Sequence, residues 1–183
     1  MEKFNFITKI IIKLDLNPNI VTLTGALGTI IGAVMLILDL RVASILFIAV
    51  FSLFDAMDGT IARVQNKQSS LGKFLDSNLD RIADSAIFLA IMSQLNLEEI
   101  STLYILMAAL AVSLITSYIQ ATAEIANVKI LSGPLSRLPR VLLLLTAIIT
   151  QQYRNILIII LILGIVTVVL RLYSGLIRIS EKS

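Results

Sequence analysis

The chain contains neither cysteine nor histidine. Without cysteine it can form no disulfide, no thiolate metal site and no cysteine nucleophile. Without histidine it can build neither a Ser-His-Asp relay nor an imidazole zinc site from its own residues. Any acid–base chemistry therefore falls to carboxylates, lysine or tyrosine.

Charged residues are scarce as well. Only 15% of the 183 residues are charged and 57% are apolar, with a mean hydropathy of +0.95, which is typical of an integral membrane protein. The apolar runs predict an all-α fold with six transmembrane helices, each near the ~20 residues that cross a bilayer core. We expect one domain, residues 1–183, with spans at about 20–39, 42–64, 70–94, 101–127, 137–152 and 155–177.

Residues 2–14 differ from these spans because their charges alternate with apolar residues. One helix face would carry the apolar side chains and the other the charged ones, with Phe4, Phe6, Ile7, Ile10, Ile11 and Leu14 opposite Glu2, Lys9 and Lys13. This pattern predicts an amphipathic helix lying in the membrane interface. Asn17-Pro18-Asn19 would end it and start the first span.

The basic residues predict the orientation of the spans. One side of the membrane would hold only Arg41 and Arg154, beside the acidic pair Glu98-Glu99. The termini and the two connections on the other side hold Lys3, Lys9, Lys13, Lys67, Lys73, Lys129, Arg137, Arg140, Arg178 and Lys182. Both termini are therefore expected in the cytoplasm, in a multi-pass protein of the cytoplasmic membrane. This asymmetry and anionic lipid headgroups account for the net charge of +3 better than nucleic acid does.

Four aspartates lie on the second and third spans, in the pattern D-x2-D-G-x2-A-R-x8-G-x3-D-x3-D from Asp55 to Asp80. A carboxylate within a hydrophobic span costs roughly 2.5–3.5 kcal/mol on insertion scales, so a cation is expected there. If the two spans form an antiparallel hairpin centred near Lys67, Asp55 lies level with Asp80, and Asp58 with Asp76. Spacings of three and four put each pair on one helix face. The carboxylates would converge in a shallow pocket open to the cytoplasm.

Oxygen ligands without histidine or cysteine favour Mg2+ or Mn2+. Four carboxylates exceed the needs of one Mg2+ but suit two ions that share a diphosphate. Gly59, Ala62 and Gly72 are small, so a bulky ligand could approach the backbone, although close helix packing alone also explains such residues. Arg63 adds a cation with bidentate reach for phosphate.

The motif resembles, at every position, the signature of the CDP-alcohol phosphatidyltransferases. Asn17-Pro18-Asn19-Ile20-Val21-Thr22 is similar to the Pro-Asn-x-x-Thr start of that family's first span. The resemblance implies a six-span membrane enzyme, usually a homodimer, that moves a phosphatidyl-type group from a CDP-linked lipid to an alcohol and releases CMP.

The resemblance also implies roles for particular residues. Asp55, Asp58, Asp76 and Asp80 would hold two metal ions, Mg2+ or Mn2+, and Asp80 would also be the general base. Contacts to the CDP-lipid donor would come from Pro18, Asn19, Ile20, Val21, Thr22, Gly59, Ala62, Arg63, Ser69 and Gly72.

The acceptor alcohol is indicated by a later stretch, Ser117–Glu124 followed by Gly133, Arg137 and Arg140. This stretch looks like the inositol-phosphate synthase branch, with Gln120 and Thr122 in place of two basic residues. Lys129, Arg137 and Arg140 would bind an anionic acceptor such as inositol phosphate. Two alternatives stay open: the same chemistry with glycerol phosphate or serine, and a purely topological role for the three cations.

Two other protein classes place carboxylates in membranes. An Mg2+-dependent prenyltransferase also binds diphosphate, but its aspartate motifs lie on well-separated helices. A divalent-cation channel or carrier explains the carboxylates, but neither Arg63 nor the spacing to Gly72. Release of CMP would distinguish the phosphatidyltransferase from both.

Overall fold

The structure is a computed structural model that describes residues 17–64, 69–96 and 100–180, with the side chains of 55–64 outside the description. Every regular element in these ranges is an α-helix, which confirms the all-α prediction. The helices are α1 (Pro18–Ile37), α2 (Arg41–Val64), α3 (Ser70–Met92), α4 (Ile100–Ile125), α5 (Arg137–Thr150) and α6 (Tyr153–Ser180). Each begins and ends within three residues of its predicted span. The predicted interfacial helix at 2–14 lies outside the described residues.

Among the described helices, α1, α4 and α6 are long and apolar enough to cross a membrane. The other three depart from that pattern for different reasons. In α2 the described side chains form an apolar stretch from Arg41 to Phe54, and those of 55–64 lie outside the description. Helix α3 carries several charged side chains along its length. Helix α5 has 14 residues and therefore rises about 21 Å, less than a bilayer core of about 30 Å.

The described residues form two compact units, with the boundary in the chain between Ala86 and Ile87. In the first unit α1 packs closely on α2 through a face of small residues. A Cβ added at Gly28 would lie 2.0 Å from Cγ of Phe51, and one added at Gly32 would lie 2.8 Å from Cγ1 of Ile48. Only glycine allows the Phe51 ring to lie directly on the α1 backbone, so these contacts determine which residues of the two helices face each other.

In the second unit α4 and α6 run side by side in the same direction. Near their first residues Nη1 of Arg154 donates to Oγ of Ser101 at 2.9 Å. Further along, Nη1 of Arg171 donates to the carbonyl oxygen of Thr116. Helix α5 also packs on α6, and the fully buried side chains of this unit include Leu106, Leu144, Leu157 and Ile160. A non-helical segment, residues 126–136, joins α4 to α5 and is called the connector below.

Candidate functional site

The first residues of α1 combine a helix cap with a buried face. Oδ1 of Asn17 accepts from the backbone N–H of Asn19 at 3.0 Å, and Pro18 takes the first helical position, where its missing N–H does no harm. Thr22 is buried and donates its hydroxyl to the carbonyl oxygen of Pro18 at 3.0 Å. Val21 is buried too, whereas Ile20 is 62% exposed. The predicted donor-binding stretch thus presents two opposite faces.

Three of the predicted donor contacts, Asn19, Ser69 and Gly72, come together although Asn19 lies 50 residues before Ser69 in the chain. Oγ of Ser69 accepts from the backbone N–H of Gly72 at 3.0 Å and so caps the start of α3. A Cβ added at Gly72 would lie 2.9 Å from Oδ1 of Asn19 and 3.1 Å from Oγ of Ser69. The beginnings of α1 and α3 therefore approach each other at Gly72, where two polar side-chain groups, those of Asn19 and Ser69, lie next to a backbone that carries no side chain.

The last turns of α2 contain the other half of the motif. The helical backbone continues to Val64, so Asp55, Asp58, Gly59, Ala62 and Arg63 all belong to one helix. Their side chains lie outside the description. The predicted convergence of the four carboxylates, and the roles of these residues, stay predictions.

Helix α3 presents carboxylates on successive turns. Asp76 and Asp80 are both half-buried and lie one turn apart, about 6 Å along the axis. Asp84, another turn along, is 2% exposed. Sequence reasoning did not include Asp84, although its spacing of four from Asp80 on an apolar helix was the available signal.

The carboxylates of Asp76 and Asp80 are suitable ligands for a hard divalent cation. Asp76 and Asp80 offer carboxylate oxygens, the ligands that Mg2+ and Mn2+ prefer. Oδ1 of Asp80 is buried and accepts no hydrogen bond from the described residues, while the residue interacts in other ways. Within the described side chains no group of three or more acidic residues is arranged to hold a metal ion, and that set lacks Asp55 and Asp58.

The three predicted acceptor-binding cations differ in their surroundings. Lys129 is exposed on the connector, and Arg137 is half-buried at the first residue of α5. Arg140 is only 3% exposed, and its Nη1 donates to the carbonyl oxygen of Ser113 at 3.2 Å and to Oγ1 of Thr116 at 3.4 Å. Part of the Arg140 guanidinium therefore ties α5 to α4.

Arg171 was missed by sequence reasoning and belongs to the same cluster. It is 7% exposed, and its Nε and Nη2 both donate to the carbonyl oxygen of Ser132, at 3.0 and 2.7 Å. Both Arg137 and Arg171 lie within electrostatic reach of Arg140. The signal for Arg171 was its place in an otherwise apolar run, because an ionisable residue inside a span indicates function or pairing.

Gln120 and Thr122, which replace basic residues of the inositol-phosphate branch, bond within their own helix. Nε2 of Gln120 donates to Oε1 of Glu124 at 2.9 Å. The Thr122 hydroxyl lies 3.1 Å from the carbonyl oxygen of Tyr118. Helix α4 therefore offers no cation at these positions.

Comparison with known proteins identifies the family. The sequence model of the CDP-alcohol phosphatidyltransferases matches residues 15–170. The chain is 31% identical over 143 residues to the phosphatidylinositol phosphate synthase of Mycolicibacterium smegmatis, covering 76% of this chain and 64% of that protein. It is 38% identical over 108 residues to the archaetidylinositol phosphate synthase of Aeropyrum pernix, covering 59% of this chain and 53% of that one. The matched region thus spans less than two thirds of each relative's length.

The fold also has solved counterparts. The crystal structure of Mycobacterium tuberculosis phosphatidylinositol phosphate synthase with CDP-DAG bound has a TM-score of 0.79, with 24% identity, 92% of this chain covered and 91% of that chain. The same protein has been crystallised in complex with manganese and citrate, with a TM-score of 0.79, 24% identity, 92% of this chain covered and 87% of that chain. At this identity the likeness establishes the fold.

Proposed function

The chain belongs to the CDP-alcohol phosphatidyltransferase family, and from this premise we propose that it transfers a phosphatidyl-type group from a CDP-linked lipid to an alcohol and releases CMP. The observation that carries the proposal is the approach of Asn19, Ser69 and Gly72, because two distant parts of the motif meet at one place. A nucleotide headgroup would lie against the bare backbone at Gly72, donate a hydrogen bond from an amino or hydroxyl group to Oδ1 of Asn19 and accept one from the Ser69 hydroxyl.

The metal site of the proposal consists of Asp55, Asp58, Asp76 and Asp80 with two Mg2+ or Mn2+ ions. The ions would neutralise the charge that develops on the diphosphate and stabilise the departing CMP. Asp80 would also take the proton of the acceptor hydroxyl, because a carboxylate is the available base in a chain without histidine. Its position one turn beyond Asp76 would bring the base next to a metal ligand.

Gly59, Ala62 and Arg63 would complete the donor site from α2. Gly59 and Ala62 would let the donor approach the backbone, and Arg63 would donate a bidentate pair of hydrogen bonds to its phosphate. Pro18, Ile20, Val21 and Thr22 would line the donor from α1. The donor would be diacyl or ether-linked, since nothing in these contacts depends on how the chains are attached to glycerol.

The acceptor would be a phosphorylated polyol, with inositol phosphate as the first choice. Lys129, Arg137 and Arg140 would bind its phosphate, and Arg171 would add positive charge beside Arg140. The similarity to phosphatidylinositol and archaetidylinositol phosphate synthases supports this choice. Glycerol phosphate would satisfy the same cations, whereas serine would not need them.

The long apolar helices indicate a membrane protein. We propose six spans in a single domain, with residues 2–14 as an interfacial helix and both termini in the cytoplasm. The active site would open to the cytoplasm, so that soluble acceptor meets lipid donor at the membrane surface. A homodimer is expected from the family.

The test is release of CMP by purified protein. The protein in detergent would be given CDP-diacylglycerol or its ether-linked analogue, with Mg2+, Mn2+ or EDTA, and a panel of inositol phosphate, glycerol phosphate, serine and water. We expect metal-dependent CMP release with inositol phosphate above the rate with water. Release with serine alone would overturn the phosphate-binding role of the cations, and no release with any alcohol would overturn the transferase.

A further inference from the structure

The connector lies along the second half of α6. A Cβ added at Gly175 would lie 3.5 Å from Cγ2 of Ile130, and one added at Gly164 would lie 3.2 Å from Cδ2 of Leu135. The connector therefore runs antiparallel to α6.

Two hydroxyl groups of α6 hold the backbone of the connector. Oγ1 of Thr167 accepts from the N–H of Leu135 at 2.8 Å, and Oγ of Ser174 accepts from the N–H of Leu131 at 3.1 Å. Each hydroxyl also donates to a carbonyl oxygen of its own helix, Thr167 to that of Leu163 and Ser174 to that of Arg171. Thr167 and Ser174, the two anchor residues, are 0% and 7% exposed.

These anchors matter because a buried backbone N–H, such as that of Leu135, must find a hydrogen-bond partner within the protein. Between the anchors the Arg171 guanidinium satisfies the carbonyl oxygen of Ser132. Gly133 has a φ of +71°, and a Cβ there would lie 2.5 Å from Cγ2 of Thr167. The connector thus touches α6 so closely that its path depends on the atoms of Thr167.

We propose that Thr167 and Ser174 are positioning residues for acceptor binding, an inference that rests on the proposed function. Lys129 lies two residues before the anchored Leu131, and Arg137 lies two residues after the anchored Leu135. Two residues of chain reach at most about 7 Å. The anchored amides therefore restrict where both cations can be, although neither hydroxyl would touch the acceptor.

The chain offers matched variants for a test. Thr167→Val keeps the shape of the side chain and removes the acceptor of the Leu135 N–H, whereas Thr167→Ser keeps the hydroxyl. Ser174→Ala removes the second anchor and serves if Thr167→Val fails to fold. The control is Thr146→Val, because the exposed Thr146 on α5 makes the same bond to its own helix, to the carbonyl oxygen of Leu142 at 2.8 Å, and holds no connector amide.

Acceptor KM, donor KM and kcat would be measured for each variant by CMP release, together with deuterium exchange of the amides at 131–135. We expect Thr167→Val to raise the acceptor KM about tenfold, the scale on which one unsatisfied amide acts, with the donor KM within about twofold of the parent. Deuterium exchange of the Leu135 amide should be faster in Thr167→Val than in the parent. Thr167→Ser should keep the acceptor KM and the exchange rate of the parent, and Thr146→Val should change neither quantity.

The possible results distinguish failure of the positioning role from failure of the proposed transferase function. An active parent whose acceptor KM is unchanged in both Thr167→Val and Ser174→Ala would overturn the positioning role alone. If donor KM and acceptor KM rise by the same factor and thermal stability falls, the anchors have only a structural role. A parent that releases no CMP with any alcohol would overturn the proposed function, and the positioning role with it.

Discussion

Substitution of Gly72 by alanine is expected to weaken binding of the CDP-linked donor without unfolding the protein. The new Cβ would lie 2.9 Å from Oδ1 of Asn19, while ordinary contact begins at 3.4 Å. The Asn19 oxygen would therefore have to retreat by about 0.5 Å. A hydrogen bond of about 2.9 Å from the bound CDP-linked donor to this oxygen would then lengthen beyond the normal range.

The magnitude follows from that displacement. A neutral hydrogen bond, from an amino or hydroxyl group of the nucleotide to the Asn19 oxygen, is worth about 0.5–1.5 kcal/mol, and 1.4 kcal/mol corresponds to a tenfold change in affinity. Donor affinity should therefore fall by up to about tenfold. Stability should hardly change, because alanine gains up to about 1 kcal/mol over glycine in a helix and a displaced side chain costs about 0.5–1.5 kcal/mol.

The assay is calorimetric titration with CDP, supported by the donor KM from CMP release and by thermal unfolding in detergent. Gly175→Ala is the matched control, because it makes the same chemical change in a helix and its Cβ would meet Ile130 at an ordinary 3.5 Å. A folded Gly72→Ala protein that binds CDP as tightly as the parent would refute the assignment of Asn19 and Gly72 to the donor site.

Three further predictions concern the charged residues. Asp76→Asn should abolish turnover at saturating Mg2+ while thermal stability holds or rises, because a charge leaves an apolar helix; near-normal turnover would end the two-metal proposal. Asp80→Asn should lower kcat far more than it weakens CDP binding by calorimetry, since a lost base acts chiefly on the transition state, and equal losses would make Asp80 a plain metal ligand. Arg137→Gln should raise the acceptor KM about tenfold through a lost charge-assisted hydrogen bond and leave the donor KM in place, so a shift in both would argue against an acceptor contact.

The sequence predicted the helices well because their signals are local. Apolar runs of membrane length are bounded by Asn17-Pro18, by the polar residues around Lys67 and by Gly133-Pro134, so the boundaries could be read from the sequence. The largest difference is at the end of α6, which continues to Ser180 rather than stopping at 177. Arg178 in its last turn favours that extension, because a cation complements the carboxyl end of the helix dipole.

The connector and its partners could not be predicted in the same way. Thr167 and Ser174 each bond to their own helix, which is what any hydroxyl in an apolar helix would do, so their second hydrogen bond leaves no trace in the sequence. Arg171 contacts residues 39 and 55 positions away, and no periodicity reports such pairs. The resemblance to the family, by contrast, already pointed to Asn19, Ser69 and Gly72, and the structure adds that the three lie beside one another.

The contact of Phe51 with Gly28 sets the alignment of α1 with α2 along their whole length. Gly28 faces Phe51 and Gly32 faces Ile48, so each step toward the start of α1 is a step toward the end of α2. If this antiparallel pairing continues, the backbone of Asp58 lies level with Val21 and Thr22. One apolar residue inserted between Thr22 and Gly28 would turn the proposed donor-binding stretch by about 100° and shift it by about 1.5 Å, while the helix would stay as apolar as before. The number of residues in this part of α1 is therefore as constrained as their identity.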